Sequence, residues 1–231
     1  MLKHIPFNSL YLADHGWLKS RFHFSFAEYY NVENMQYGPL RVMNDDLVQA
    51  KTGFGTHPHK DMEIITYVII GELSHQDSMK NKEVLTRGDV QYLSAGTGIT
   101  HSEMNESKDE VHLIQTWILP KMNGLTPKYG SKRFSVQDRK NKWLHLVGPE
   151  ESESQINIYQ DASMYASEID DNKELTFDLK NNRQLYVKLL EGKANINGTI
   201  FEAGDAAEVH DEGLIVQGIK DSHILLVEMQ R

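Results

Sequence analysis

The stretch His57-Pro58-His59-Lys60-Asp61-Met62-Glu63-Ile64-Ile65-Thr66-Tyr67-Val68-Ile69-Ile70-Gly71 decides how the chain folds. Its second half is rich in β-branched residues and stops at a glycine, which predicts a strand. Just ahead of it, two imidazoles stand at i and i+2. Alternate residues of an extended strand point to one face, so His57 and His59 project together. Forty-two residues after His59, His101-Ser102-Glu103 repeats the spacing with an imidazole and a carboxylate. Two such strands facing each other would offer three imidazoles and one carboxylate to a single ion, donors that suit first-row divalent metals. Pro58 has no N–H to give to a ladder, so its strand is expected at an edge or a bulge.

Outward from this stretch the chain reads as short strands. Residues 111–119 form another, ended by Pro120, and residues 184–190 and 224–229 look alike. Asn197-Gly198 between two apolar runs is a hairpin signal. Ala162–Ile169 reads as a short helix with Asp161 as a possible N-cap. The two halves share one layout. A hairpin from Gly71 to Gly88-Asp89-Val90 and a turn at Gly96 and Gly98 lead to the strand ending near Leu119. Gly192 to Gly204-Asp205-Ala206, then Gly213, lead likewise to the strand ending near Met229. The expectation is an all-β chain made of a duplicated sandwich or barrel. Its polar join lies between residues 120 and 142, where Pro120, Gly124, Pro127 and Gly130 cluster.

Composition narrows the function. Of 231 residues, 39% are hydrophobic and 25% charged, as in an ordinary globular protein. A net charge of −9 argues against a nucleic-acid partner, which needs a basic stripe. No apolar run is long enough for a membrane span. The first residues show no secretory signal, so cytoplasm is the default expectation. Cysteine is absent, which removes disulfides, thiolate ligands and a cysteine nucleophile.

Gly53-Phe54-Gly55-Thr56-His57-Pro58-His59, with Glu63 and Thr66-Tyr67 after it, resembles the first signature of the pirin family. Pirins are two-domain members of the cupin superfamily. Ser94-Ala95-Gly96-Thr97-Gly98-Ile99-Thr100-His101-Ser102-Glu103 resembles the second signature. Further blocks are similar at residues 23–30, 40–46 and 75–78. The likeness is strongest over residues 10–120 and to the bacterial branch associated with quercetin 2,3-dioxygenase. It implies a bicupin of two tandem jelly-roll domains, an N-terminal metal-binding domain over 1–130 and a degenerate C-terminal domain over 131–231. The family's metal ligands fall on His57, His59, His101 and Glu103. The corresponding stretch of the second half, residues 175–182, holds no histidine, and His210 and His223 stand alone. One ion is therefore expected, in the first domain. The resemblance favours Fe(II), while the donor types admit Mn, Co, Ni, Cu and Zn. Glu63 is expected behind the ligands, not among them, and His75 and Asp77 are expected to serve their hairpin.

What the resemblance implies for function is cleavage of a small aromatic, flavonol-like substrate by O₂. Glu103 is then ligand and general base at once, the one catalytic residue. Phe24, Phe26, Phe54 and Met43 could supply an apolar opening. The alternative is a metal-binding regulatory or redox-sensing protein acting through a protein partner. A sugar isomerase would call for basic residues to hold phosphate, and only Lys60 lies close in sequence.

Overall fold

The computed structural model describes all residues, Met1–Arg231. It is built of strands, with one four-residue helix, Val136–Arg139, and a single 3₁₀ turn at Phe7–Ser9. The backbone divides into two compact units, Tyr11–Phe134 and a second composed of Met1–Leu10 with Ser135–Arg231.

In the unit Tyr11–Phe134, seven strands form one sheet, in the order Lys128–Lys132, Val90–Ser94, Glu63–Ile70, Val111–Ile118, Leu40–Val48, Leu18–Phe22, Tyr11–Asp14. Four more form a second sheet in the order Gly53–His59, Ile99–Met104, Leu73–Asp77, Lys82–Leu85. Leu18, Val48, Val68, Val111 and Leu113 of the first sheet pack with Leu73 and Leu85 of the second in one buried cluster. Burying such side chains stabilises the sandwich by about 1.5–3 kcal/mol each. The Glu63–Ile70 strand is buried over seven of its eight residues, as an uninterrupted apolar run at the centre of a sheet should be. Pro58 lies on an edge strand, where its missing N–H leaves no ladder bond unmade.

The other unit is one nine-stranded system. Its longest strands, Arg183–Ile196 and Leu214–Gln230, pair over most of their length. Its core gathers Leu185, Val187, Leu189, Phe201, Val216, Ile224 and Leu226. Asn197 and Gly198 both have positive φ, 47° and 84°, which makes the expected tight hairpin between Arg183–Ile196 and Thr199–Glu202.

Three expectations are corrected. Ala162–Ile169 is a strand, held between Leu144–Pro149 and Leu214–Gln230. Its alanines, Met164 and Glu168 favour a helix in isolation, but six of its eight residues are buried and the cross-strand partners override propensity. The first ten residues do not belong with residues 11–130. Leu2–Ile5 pairs antiparallel with Ala206–His210, Leu2 opposite Val209, and Asp205 accepts hydrogen bonds from the Phe7 N–H (2.8 Å) and the His4 ring (3.0 Å). A four-residue strand carries no pattern of its own, so only its partner reveals it. Finally, the polar stretch 120–142 is not all connection, because Lys128–Lys132 pairs with Val90–Ser94.

Candidate metal centre

The Gly53–His59 and Ile99–Met104 strands run antiparallel with His57 directly opposite His101 and Ile99 opposite His59. Ile99, His101 and Glu103 are buried and alternate with the half-buried Thr100, Ser102 and Met104, so the inward face is the one the spacing predicts. A bulge between His101 and Glu103 shifts the pairing, and Glu103 comes to lie opposite Phe54. Gly53 makes this possible. A Cβ there would meet the Glu103 carbonyl and would stand 2.7 Å from the Met104 Cα, so any larger residue would push the two strands apart.

The three imidazoles converge. Ring centroids are 4.7 Å apart for His57 and His59, 4.5 Å for His57 and His101, and 4.8 Å for His59 and His101. One nitrogen from each lies within 4.8 Å of the other two. His57 Nδ1 donates to the Gly55 carbonyl at 2.7 Å, which leaves the Nε2 lone pair bare for a ligand. Burial holds His59 down to about 4, helped by the neighbouring His57. Burial, with His57, His59 and His75 nearby, holds His101 down to about 3. Both are therefore neutral near pH 7, the form that binds metal.

His101 supplies the test of fit. It is 1% exposed, and neither ring nitrogen has a hydrogen-bond partner. A buried, unsatisfied polar atom costs about 1–3 kcal/mol. A cation bound by these imidazoles removes that cost, and the donor set suits one.

Glu103 stands apart from this trio. Its carboxylate groups with His101 and with His75, all three buried. Oε1 accepts from the Thr66 hydroxyl at 3.2 Å and from the Gln91 amide, and Oε2 accepts from the Gln115 amide at 2.8 Å. Burial nonetheless pushes its carboxyl up to about 7, against those hydrogen bonds.

His75, expected to serve its hairpin, also belongs to the buried donor group with His101 and Glu103. It lies opposite Glu103 in the strand register, and Asp77 lies opposite His101. Asp77 also accepts the backbone N–H groups of Met79 and Asn81 and the Asn81 amide. An acceptor so fully used fixes His75 Nε2 (3.3 Å) as an N–H donor. Nδ1 then keeps a lone pair with no partner. The signal was present in the sequence as a third i, i+2 pair, His75 and Asp77. Glu63, in contrast, is in neither donor group and accepts the Tyr92 hydroxyl at 3.2 Å. The other unit contains no group of three such donors. His223 pairs with Glu191 and His210 with Asp211.

A cavity of about 390 Å³ opens onto two of the three imidazoles. That is within the roughly 300–1,000 Å³ usual for small-molecule sites. His57 and His59 form part of its wall, which the aromatic residues Trp17, Phe22, Phe26, Phe54 and Trp117 also line. Of the four expected apolar residues, Phe26 and Phe54 line it, whereas Phe24 and Met43 are core. Trp117 packs edge-on against His59 at 4.9 Å. Two carboxyls differ in their relation to this space: Asp46 lines it, and Glu103 does not.

Residues 7–118 match the family model Pirin, and residues 134–229 match a quercetinase C-terminal cupin domain. The chain belongs to the pirin family. It is a bicupin, as the sequence resemblance implied. A quercetin 2,3-dioxygenase of Escherichia coli (strain K12) is 41% identical over 94% of this chain and 94% of its own length. A pirin-like protein of Caulobacter vibrioides is 41% identical over 99% of each. The crystal structure of the bacterial pirin YhhW from Escherichia coli in complex with nickel(II) superposes with a TM-score of 0.93 at 38% identity. The match covers 100% of this chain and 99% of that one. No helix of this pirin is long and apolar enough to cross a membrane.

Proposed function

We propose that this pirin is a metal-dependent dioxygenase that cleaves flavonols of the quercetin type with O₂. The observation that carries the reading is the trio of convergent imidazoles, two of them, His57 and His59, on the wall of an aromatic cavity. His57, His59 and His101 hold one divalent ion, with Glu103 as the fourth donor. The second cupin unit holds none. Fe(II) is the proposed resident, and the imidazole donors also accept the nickel present in the related YhhW structure.

When bound, the ion supplies a Lewis acid that lowers the pKa of a nearby hydroxyl and a redox centre for O₂ chemistry. The chain's own residues do the rest. Trp17, Phe26, Phe54 and Trp117 hold a flat aromatic substrate and keep water from its electron-rich ring. The Gly55 carbonyl sets the tautomer and direction of His57. Thr66, Gln91 and Gln115 orient Glu103.

Elemental analysis of the purified protein, followed by an aerobic assay with quercetin and detection of carbon monoxide, tests the proposal. One ion per chain with flavonol loss and carbon monoxide release is the expected result. A bound ion with no turnover across a flavonoid panel would instead favour a redox-sensing role through a protein partner. Turnover that survives both His57→Ala and chelation would remove the metal from the reaction.

A further inference from the structure

We infer that Asp46, on the wall of the aromatic cavity, accepts the enolic hydroxyl proton of the substrate, in the place the sequence reading gives to Glu103. The inference rests on the dioxygenase reading above and specifies how its first step is done.

The two carboxyls are separated by Gln115. Its side chain lines the cavity, its Nε2 donates to Glu103 Oε2 at 2.8 Å, and its Oε1 accepts the Trp117 indole N–H at 3.0 Å. Glu103 thus lies behind an amide fixed at both ends, with each of its oxygens already accepting a hydrogen bond. A substrate filling the cavity meets Gln115 before it meets Glu103. Asp46 is on the Leu40–Val48 strand and faces the same space as His57 and His59. The Ser20 hydroxyl donates to its Oδ1 and fixes the carboxyl, while Oδ2 keeps its lone pairs for a ligand.

The surroundings suit a base. The residue is 2% exposed, and burial, followed by the charges of Asp45 and Glu103, pushes the carboxyl up to about 7. The neighbouring Leu18–Phe22 strand presents the neutral Ser20, and the Val111–Ile118 strand presents the neutral Gln115. His15, His57 and His59 are the other titratable groups on the cavity wall. A carboxylate that gains proton affinity by desolvation is matched to removing a proton near neutral pH. In the step, the O–H bond of the hydroxyl breaks. Its proton passes to Asp46 Oδ2, and both bonding electrons stay on the substrate oxygen. The neutral acid so formed is the species an apolar wall tolerates best.

An ionised flavonol absorbs at longer wavelength than the neutral one, so the step can be read without turnover. The experiment mixes the metal-loaded full chain with 3-hydroxyflavone under strict exclusion of O₂ and records the absorption. Binding is followed separately by quenching of tryptophan fluorescence. The expected result is the long-wavelength band with the wild type and a band at least roughly tenfold weaker with Asp46→Asn and Asp46→Ser, at unchanged metal content and with the flavonol still bound. Glu103→Gln, brought to the same metal occupancy, is recorded alongside. An undiminished band in Asp46 variants that bind the flavonol would overturn the inference. So would a band lost only in Glu103→Gln. No binding by the wild type would instead bring down the dioxygenase reading itself.

Discussion

His57 and His101 are direct partners across two antiparallel strands, their rings 4.5 Å apart. In the proposed centre a strand pairing, and not a loop, brings the donors together, and His101 belongs to both groups of donors. His101→Ala is expected to leave the protein folded and without its ion, read by elemental analysis after dialysis. His75→Ala should keep the stoichiometry of one but weaken binding by about 10–100-fold, the usual effect of losing a group behind the ligands. Wild-type metal retention in His101→Ala would sink the proposed centre.

Gly53→Ala tests the strand pairing itself. The added Cβ collides with backbone at Glu103 and Met104, which cannot rotate away. A loss of about 1–3 kcal/mol in unfolding free energy is expected, together with weaker metal binding. Gly55→Ala meets open space and is the control. Equal behaviour of the two variants would refute the argument.

The metal-free protein should lose stability in acid. His101 and His59 are held below the ordinary value near 6.5, to about 3 and about 4. Below pH 6.5 the unfolded chain takes up protons that the folded chain refuses. Their stabilising effect is present above pH 6.5 and declines as pH falls toward those lower values. For His101 the decline between pH 6.5 and 5 is of order 2 kcal/mol. Unfolding of wild type and His101→Gln at pH 7 and pH 5 checks this. The variant should show a shallower loss, and parallel curves would contradict it.

Asp46 should act in the opposite sense. Its folded carboxyl titrates near 7, above the unfolded value near 3.9. Folding takes up a proton between those values, so the contribution is full below about pH 4 and is lost as pH rises through about 7. Asp46→Asn is thus expected to gain on the metal-free wild type at pH 8 relative to pH 4, by a few kcal/mol at most. A pH-independent difference would show that the carboxyl titrates normally.

Much of this protein was legible in its sequence, for reasons that can be located. The imidazole pair follows the two-residue period of a strand, and the Glu63–Ile70 run shows itself by β-branched residues stopped at Gly71. The Asn197-Gly198 turn is dictated by backbone sterics. The rest depended on partners distant in the chain. Ala162–Ile169 is a strand only because two neighbours flank it, and Leu2–Ile5 is one only because Ala206–His210 lies beside it. His75 went unassigned to the site because its place opposite Glu103 comes from register, which spacing does not reveal. Gln115 belongs to no motif, and Asp46 closes the similar block at residues 40–46 without any sign there of a cavity. Their roles exist only once the cavity is built.

The Leu2–Ile5 edge has a bearing on biogenesis. That segment is translated before residues 11–134, and the Ala206–His210 strand it docks against only after them. Residues 11–134 can close while synthesis continues, but Leu2–Ile5 must wait, unpaired, until residues 206–210 have been made. Translation order and folding order part company at this one ladder.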